Sequence, residues 1–588
     1  MIDAPRGRKS WGLLAYLVRS RVAPSRERIA GLLFPDADDP LGALRWTLST
    51  LRRQLSSDIE VGGDPVRMSL SHTTSVDVDV LSRGSWVQAL ALPGLGHEFL
   101  DGLVFSSPGF EMWLENERRS ISGATAAVLR QAALAQLAQG DAAFATERAS
   151  ELVQLNPFDE NAHALLARCL RATGDHAAAD RQLAACEELF RRELGISPTT
   201  ALREAGESRT VNVPARSNGR AATLAQIETG QAVIAAGATA AGLERLRQAS
   251  VSARELDDSE VLARALIALG GALVHGARGT DVEGAAALHE GVHLAVRGGH
   301  TRLSATGWRE IGWVQFLRAE YDRAEESMTT AASLAGGDDE ELAWVDVILG
   351  TCRNDVGDYA SAEPLLRSAV ERSRRVSSAH PLAFSLSMLA RLLFARGQID
   401  DASELLDEAL DVVDARGLIA FRPWPESFRA EIDLLRGDVD AAESRFEHAF
   451  AVGCEVGDPC WESIAARGLG LVAASRGDVA RALEFLADAP RLCRRLPDTY
   501  VWIEAYGLDA LCSVAIEHRA DGVREWVDDL ESITARRGMR ELLLHAALYR
   551  VRLGEPGALD VARLLAAQID NPAVRELVAA ARPAPAAA

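Results

Sequence analysis

A short segment recurs about every 40 residues through the second half of the chain, and this repeat constrains the fold more than any other feature. Each copy starts with a small residue, usually glycine, and continues through a polar residue into a stretch with helical apolar spacing. The copies start at Gly237, Gly279, Ala319, Gly357, Gly397, Gly437 and Gly477. Glycine suits the left-handed end of one helix, and a following Asp or Thr can cap the next helix. The repeat therefore predicts stacked pairs of antiparallel helices.

Small residues within each copy indicate where the paired helices approach closely. Alanine occupies the equivalent position in four successive copies, as Ala362, Ala402, Ala442 and Ala482. Over roughly 225–575 these segments resemble tetratricopeptide repeats with helices longer than those of the usual unit. Two further units, with a shorter spacing, begin at Gly140 and Gly174. The resemblance predicts a concave helical scaffold and says little about function. An irregular all-helical domain is the alternative.

The distribution of charge separates the start of the chain from the rest. Residues 1–57 hold ten Arg or Lys against five Asp or Glu, whereas the whole chain carries a net charge of −21. A basic start on an acidic body is the asymmetry expected when only the start contacts a polyanion. Aromatic residues make up only 5% of the chain. Because abundant alanine and leucine favour helices over strands, we expect a mainly α fold.

Several classes of protein are excluded by motifs that the sequence lacks. Lys9 is the only lysine, so the chain has no phosphate-binding loop of the GxxxxGK[ST] type. It has no GxSxG elbow, dinucleotide fingerprint or Cys–His nucleophile pair, so we expect no catalytic residue and no cofactor. The seven cysteines lack zinc-type spacing. No apolar run is long enough to span a bilayer, which predicts a cytoplasmic protein without membrane contact.

Three helical patterns and a hairpin pattern follow one another near the start of the chain. The first helix is predicted over 8–18, the second over 25–33 with Ser25 as its N-cap, and the third over about 41–55. The predicted apolar face of the first helix consists of Trp11, Leu14, Ala15 and Val18. Residues 59–70 then predict two short strands around a Gly-Gly turn. This order is typical of a winged helix.

The third helix has one apolar face and one face suited to DNA. Leucines recur at i, i+4, i+7 and i+11 and form a buried stripe, as Leu44, Leu48, Leu51 and Leu55. The DNA-binding candidates on the other side are Arg45, Trp46, Ser49, Thr50, Arg52 and Arg53. Arginine can donate two hydrogen bonds to guanine in the major groove, and hydroxyls can reach bases or phosphates. Arg67, on the second strand, is predicted to contact a neighbouring phosphate. The alternative is a surface helix whose arginines are merely solvated.

A family resemblance is carried by the run RERIAGLLFPDADDPLGALRWTLSTLRRQL and by VDVDVL at 76–81. They resemble the winged-helix DNA-binding domain of the Streptomyces antibiotic regulatory protein family. Segments 99–121 and 155–199, the second ending in LGISPT, are similar to the bacterial transcriptional activator domain that follows it. The resemblance is continuous over roughly 7–203 and implies a promoter-binding regulator. It also implies that positions 45, 46, 49, 50, 52, 53 and 67 form its recognition helix and wing.

The resemblance implies partners and also two departures from the family pattern. The second domain would support a homodimer or recruitment of RNA polymerase. Family members normally begin with a short β-sheet before the first helix, and this chain starts almost on that helix. We therefore expect either a start upstream of Met1 or a trimmed head. Larger members insert an ATPase module before the repeats, and since this chain has none, nucleotide-driven switching is not expected.

One motif suggests metal chemistry. His289, Glu290 and His293 form an HExxH string on a predicted helix, which could bind zinc, with His300 or Glu310 as a third ligand. The repeat register argues against this hypothesis. It places His289 and His293 at mainly polar positions of the second helix of a unit, where we expect solvated side chains. We therefore predict no metal site.

These features together predict a mainly α chain with a winged-helix head, a helical activator domain and an α-solenoid. The predicted boundaries are 1–82 for the head, 83–203 for the activator domain, 204–222 for a linker, 223–578 for the tetratricopeptide-like array and 579–588 for a disordered tail. We expect the head to bind double-stranded promoter DNA and the array to sense a protein or small effector. The acidic body motivates the hypothesis that the array repels DNA or masks the head until an effector binds. The competing hypothesis is a repeat-scaffold adaptor that does not bind DNA.

Overall fold

The structure is a computed structural model that describes residues 7–55, 59–72, 74–198, 202, 219–235, 239–276, 281–495 and 500–581. Within these ranges it contains 28 α-helices and one two-stranded sheet. The prediction of a mainly α chain is therefore confirmed. Below, the head is residues 7–72, the activator segment is residues 74–198, and the array is residues 219–581.

The head consists of three helices and a β-hairpin. Its elements are α1 (Arg8–Arg19), α2 (Arg26–Leu33), α3 (Pro40–Gln54), β1 (Ile59–Gly62) and β2 (Arg67–Leu70). The Ser25 hydroxyl caps α2 by accepting a hydrogen bond from the backbone N–H of Arg28. The Asp39 carboxylate caps α3 in the same way through Gly42. Such caps satisfy the unpaired N–H groups of a first turn, and the helices therefore begin close to the predicted positions.

The core of the head lies under α3. The predicted leucine stripe is buried along its whole length, from Leu44 to Leu55. The predicted face of α1 is only partly correct, because Leu13, Tyr16 and Leu17 are buried while Trp11, Leu14 and Val18 are half-buried. The reason is that α1 packs against α3 on one side and against the activator segment on another. A helix covered from two sides buries a wider face than its own apolar pattern indicates.

The activator segment is built around one long helix. Its helices are α4 (Asp77–Arg83), α5 (Trp86–Leu90), α6 (Pro108–Ala138), α7 (Ala142–Leu155), α8 (Glu160–Ala172) and α9 (His176–Glu193). Phe110 and Trp113 of α6 pack into the core of the head, and Ile121 packs with α4 and α5. Leu129, further along α6, packs with α7 and α8. Because α6 is 31 residues long, it joins three apolar clusters on a single rigid element.

The array consists of stacked antiparallel helix pairs. Its helices are α10 (Arg220–Ala235), α11 (Thr239–Glu255), α12 (Ser259–Gly276), α13 (Asp281–Arg297), α14 (Thr301–Leu317), α15 (Tyr321–Leu334), α16 (Asp339–Asp355), α17 (Tyr359–Val376), α18 (Ala379–Ala395), α19 (Ile399–Arg416), α20 (Pro423–Leu435), α21 (Val439–Val456), α22 (Pro459–Ser475), α23 (Val479–Cys493), α24 (Val501–Glu517), α25 (Val523–Arg537), α26 (Arg540–Arg552), α27 (Ala558–Ala566) and α28 (Pro572–Ala580). A 3-10 turn, Ile419–Phe421, precedes α20. Each even-numbered helix from α10 to α26 pairs with the helix that follows it.

The turns within the pairs have the predicted conformation. Positive φ angles occur at five of the predicted starts, Ala319, Gly357, Gly397, Gly437 and Gly477. The carboxylates of Asp358, Asp438 and Asp478 cap the helices that follow. The four alanines predicted at the contact between paired helices are fully buried. Gly237 and Gly279 lie outside the described residues.

Inside the array, helices from distant repeats meet around a buried ion pair. The Asp355 carboxylate accepts hydrogen bonds from the Arg391 guanidinium, from the Tyr321 hydroxyl at 2.9 Å and from the Tyr500 hydroxyl at 3.1 Å. The Phe316 and Tyr500 rings lie 4.8 Å apart. These contacts join α14, α16 and α18 to the start of α24, so the inner helices pack against one another across several repeats.

Two predicted segments fall largely outside the described residues. Residues 204–218 of the predicted linker and residues 582–588 of the predicted tail are not among the described residues. Helix α28 continues to Ala580, so the first two residues of the predicted tail are helical. No helix in the described ranges combines the length and apolar character needed to cross a membrane.

Candidate nucleic-acid interface

Helix α3 presents a polar face with one large aromatic side chain at its centre. Leu44, Thr47, Leu48 and Leu51 turn into the head, so the opposite side of the helix points outward. The exposed fraction of Trp46 is 67%. Arg45, Ser49 and Arg53 are also exposed, and Thr50 is half-exposed. We call Arg45, Trp46, Ser49, Thr50 and Arg53 the reading face. Its exposure in the full described chain means that the array does not cover it.

The two arginines of the reading face are held loosely by neighbours on the same helix. Arg45 faces the Asp39 carboxylate at 3.4 Å, and both side chains are largely exposed. Arg53 donates to the Ser49 carbonyl and to the Thr50 hydroxyl, both at 3.3 Å. Exposed contacts of this kind contribute little to stability, so both guanidinium groups can exchange them for a ligand at low cost.

Arg52 has a different contact from the other predicted DNA-binding residues. Its Nε donates a 2.5 Å hydrogen bond to the Val61 carbonyl of β1. This bond ties the end of α3 to the hairpin, which the sequence pattern of a single helix does not indicate. We therefore interpret Arg52 as a residue that positions the hairpin relative to the reading face.

The hairpin is anchored to the head at its turn as well. Arg67 on β2 is exposed and lies opposite Gly62 in the register. The Arg26 guanidinium donates to the Gly63 carbonyl at 3.0 Å, and the Val66 N–H donates to the Pro24 carbonyl at 2.7 Å. These bonds fix the turn against the start of α2. As a result, Arg67 and the reading face have a defined relative position.

Aromatic and ionic contacts hold the head on helix α6. The Tyr16 ring meets the Trp113 ring edge-on at 5.2 Å between centroids. Arg19 forms an ion pair with Glu117 at 2.6 Å, and both side chains are mostly buried. Leu564 of α27, near the end of the array, belongs to the same apolar cluster as the core of the head. The head therefore contacts both the activator segment and the far end of the array.

Helix α6 is bound to the first part of the array by a buried charge network. Arg130 contacts the Glu320 carboxylate and forms an ion pair with Asp159 at 2.6 Å. Both Arg130 and Glu320 are buried. Burial alone would raise the pKa of Asp159, but the charges of Arg130 and Arg318 lower it below its ordinary value. The carboxylate is therefore retained as an anion at the junction of the two segments.

A second set of contacts binds α6 to the end of the array. The Asn116 amide donates to the Glu531 carboxylate at 3.2 Å, and Arg119 lies 3.5 Å from the same group. At Gly123 an added Cβ would lie 2.3 Å from the Arg536 carbonyl, so only glycine fits there. The array thus contacts α6 through two regions separated by about 200 residues of sequence.

The activator segment also contacts the array at the C-terminal end of α4. The buried Arg323 guanidinium of α15 donates to the carbonyls of Leu81 at 2.7 Å, Ser82 at 3.1 Å and Gly84 at 2.6 Å. An arginine that satisfies three carbonyls at a helix end removes unpaired acceptors from the interface. This contact lies close in sequence to the head and adds a third connection between the activator segment and the array.

The repeat register predicts solvated side chains for the HExxH string, and for His289 this prediction is wrong. His289 is buried rather than solvated, because α6 packs over α13 at this point. Glu290 pairs with Arg254 at 2.7 Å, and Glu310 pairs with His275 at 2.7 Å. Among the described residues, no group of three or more His, Cys, Asp or Glu side chains is arranged to hold a metal ion. Glu290 and Glu310 are instead paired within the array, and His289 lies beneath α6.

Burial of His289 predicts a pH dependence of stability. Burial and the nearby Arg318 charge lower the pKa of His289 from its ordinary 6.5 to about 4. Between these values the unfolded chain binds a proton that the folded chain does not, so stability is present above pH 6.5 and is lost as the pH falls to 4. The free energy of unfolding therefore changes across this pH range, and we expect His289→Gln to reduce that change by about 3 kcal/mol. The measurement is urea unfolding at pH 7 and pH 4.5, with exposed His176→Gln as the matched control. An identical pH dependence in the two variants would contradict the prediction.

Comparison with protein-family models finds two matches. Residues 73–208 match the bacterial transcriptional activator domain, and residues 341–415 match the tetratricopeptide repeat. The first match covers the predicted activator domain, and the second lies within the predicted array. The chain therefore contains a bacterial transcriptional activator domain followed by tetratricopeptide repeats. No curated protein matches the chain.

Solved helical proteins resemble the chain at low identity. A Rap protein complexed with competence and sporulation factor is 13% identical, with a TM-score of 0.44, over 61% of this chain and 99% of its own. Yeast Tom70 is 15% identical, with a TM-score of 0.32, over 72% of this chain and 94% of its own. A human IFIT1 dimer with m7Gppp-AAAA is 13% identical, with a TM-score of 0.35, over 76% and 94%.

Proposed function

We propose that the chain is a DNA-binding transcriptional regulator, an activator without enzymatic activity, of the Streptomyces antibiotic regulatory protein type. The observation that carries this proposal is the reading face, an exposed helix surface with two loosely held arginines. It lies beside an anchored hairpin, in a chain that contains a bacterial transcriptional activator domain. In this proposal the head is a winged helix that places α3 in the major groove of promoter DNA, with Arg67 on the phosphate backbone.

The other segments receive roles that follow from their contacts. The activator segment would recruit RNA polymerase or a second copy of the chain, since much of its surface away from α6 remains exposed. The array would sense a protein or small effector in the cytoplasm. Because two distant regions of the array contact α6, a change in the array can reach the head through rigid packing. The array would mask the head through its negative charge, since the reading face itself is exposed.

Arg53→Ala is expected to weaken binding to the preferred DNA site by roughly 1–3 kcal/mol and to relax selectivity at one base pair. The reason is that Arg53 lies on the exposed face of α3 with only weak contacts to its own helix. The measurement is a gel-shift titration on duplexes selected from a random pool. Unchanged affinity and selectivity would contradict this role.

A matched control separates charge from base contact in this experiment. Arg191 on α9 is exposed and pairs with Glu188 on its own helix, so Arg191→Ala removes the same charge far from the reading face. We expect Arg191→Ala to leave the affinity for the preferred DNA site nearly unchanged.

The adaptor hypothesis makes a different prediction, namely that the full chain shows no salt-dependent binding to any duplex.

A further inference from the structure

Trp46 is the most exposed of the large apolar side chains in the described part of the chain, and its environment is polar. It lies at the middle of α3, with Arg45 beside it, Ser49 and Thr50 one turn on and Arg53 two turns on. A protein-binding surface normally surrounds an exposed tryptophan with further apolar side chains. The neighbours of Trp46 on this face are instead the arginines and hydroxyls that suit a polyanion.

The major groove offers an indole ring one main apolar partner. Each base pair presents donors and acceptors there, and the C5-methyl group of thymine is the distinctive apolar feature. An indole on a groove-facing helix can cover such a methyl group and exclude water from it, which is favourable because both surfaces are apolar. The Trp46 ring is exposed to solvent, so a contact with DNA would break no hydrogen bond of this side chain within the head.

We propose that Trp46 determines specificity by packing on thymine methyl groups, so that the preferred site contains thymine at the position under the centre of α3. The proposal rests on the proposed DNA-binding function and adds the base feature that is read. Trp46 and Arg53 are separated by seven residues, which is about 10 Å along a helix. With base pairs stacked about 3.4 Å apart, the thymine lies within about three base pairs of a guanine contacted by Arg53.

The test removes single thymine methyl groups from the DNA. Duplexes are selected from a random pool with the full chain, and each thymine of the selected site is then replaced in turn by deoxyuridine, which lacks only the C5-methyl group. We expect one or two replacements to lower the affinity of the wild-type chain about fourfold, the effect of about 0.8 kcal/mol for a buried methyl-sized group. In Trp46→Ala the same replacements should have no effect. Trp46→Phe should retain part of the sensitivity.

The outcomes separate this inference from the proposed function. If the chain binds duplex DNA but no deoxyuridine replacement matters, or if Trp46→Ala is equally sensitive, the inference is wrong and the regulator proposal survives. If Trp46→Ala leaves DNA binding unchanged but abolishes transcription in a reconstituted assay, Trp46 contacts protein, which also overturns the inference. If the full chain binds no duplex, both proposals fail. Circular dichroism of each variant establishes folding, which we expect to be intact because Trp46 is exposed.

Discussion

Replacing Arg130 by methionine is expected to separate the array from the activator segment and to cost about 3–5 kcal/mol. The substitution keeps an unbranched side chain of similar length but leaves the Glu320 and Asp159 carboxylates without their main partner. A buried charge that loses its partner is strongly destabilising, because its desolvation is no longer compensated. Since Glu320 belongs to the array and Asp159 to the activator segment, the loss falls on the junction between them. We therefore expect one unfolding transition to become two.

The measurement is urea unfolding followed by circular dichroism, together with hydrogen exchange along α6. The matched control is Arg191→Met in the same segment, because Arg191 pairs with Glu188 where both side chains are exposed. We expect that control to change stability by less than about 1 kcal/mol. Equal effects of the two substitutions, or unchanged exchange along α6 in Arg130→Met, would show that the charge network does not hold the segments together.

Arg391→Met is expected to lower the free energy of unfolding of the array by about 3–5 kcal/mol. Arg391 is the positive partner of Asp355, and both side chains are almost completely buried. Burial raises the pKa of Asp355, and the charge of Arg391 opposes that shift. Without the arginine, the buried Asp355 carboxylate is neutralised only if it takes up a proton. In the unfolded chain this carboxyl is ionised throughout pH 5–8, so folding of the variant must take up a proton, which is easier at low pH. The loss of unfolding free energy relative to the wild type should therefore be smaller at pH 5 than at pH 8.

A double variant distinguishes a lost pair from lost packing. Asp355→Asn combined with Arg391→Met removes both charges, and we expect it to be more stable than Arg391→Met alone. The surface control is Arg374→Met, since Arg374 pairs with Glu408 where both side chains are exposed. That control should cost less than about 1 kcal/mol. If the double variant is as unstable as the single one, the contribution of Arg391 is packing against Trp502, 4.1 Å from its ring centroid, rather than charge.

Much of the candidate interface could be predicted from local sequence. The leucine spacing of α3 predicts which side is buried, and therefore that Arg45, Trp46, Ser49 and Arg53 are exposed. The Gly-Gly turn predicts a hairpin, and the structure pairs its two strands. Both predictions depend on residues close together in the chain, where helix and strand periodicity act directly.

The contacts that position this interface could not be predicted in the same way. Arg52 has the same charge and spacing as its neighbours, yet it bonds to the hairpin. Arg26 resembles any surface arginine of α2, yet it holds the hairpin turn. His289 was expected to be solvated, and it is buried because a helix from another segment packs over it. In each case the partner lies on a different element, and the sequence carries no signal for that pairing.

Periodicity, capping residues and turn glycines by themselves determined the helices, the repeat order and the apolar side of each element, because these depend on backbone preferences and on neighbours within a few residues. Only the tertiary structure decided that the array contacts α6 through two distant regions and that Leu564 completes the core of the head. The reason is physical. Long-range contacts depend on how small rotations between successive repeats accumulate, and those rotations bring together residues whose sequence positions are unrelated.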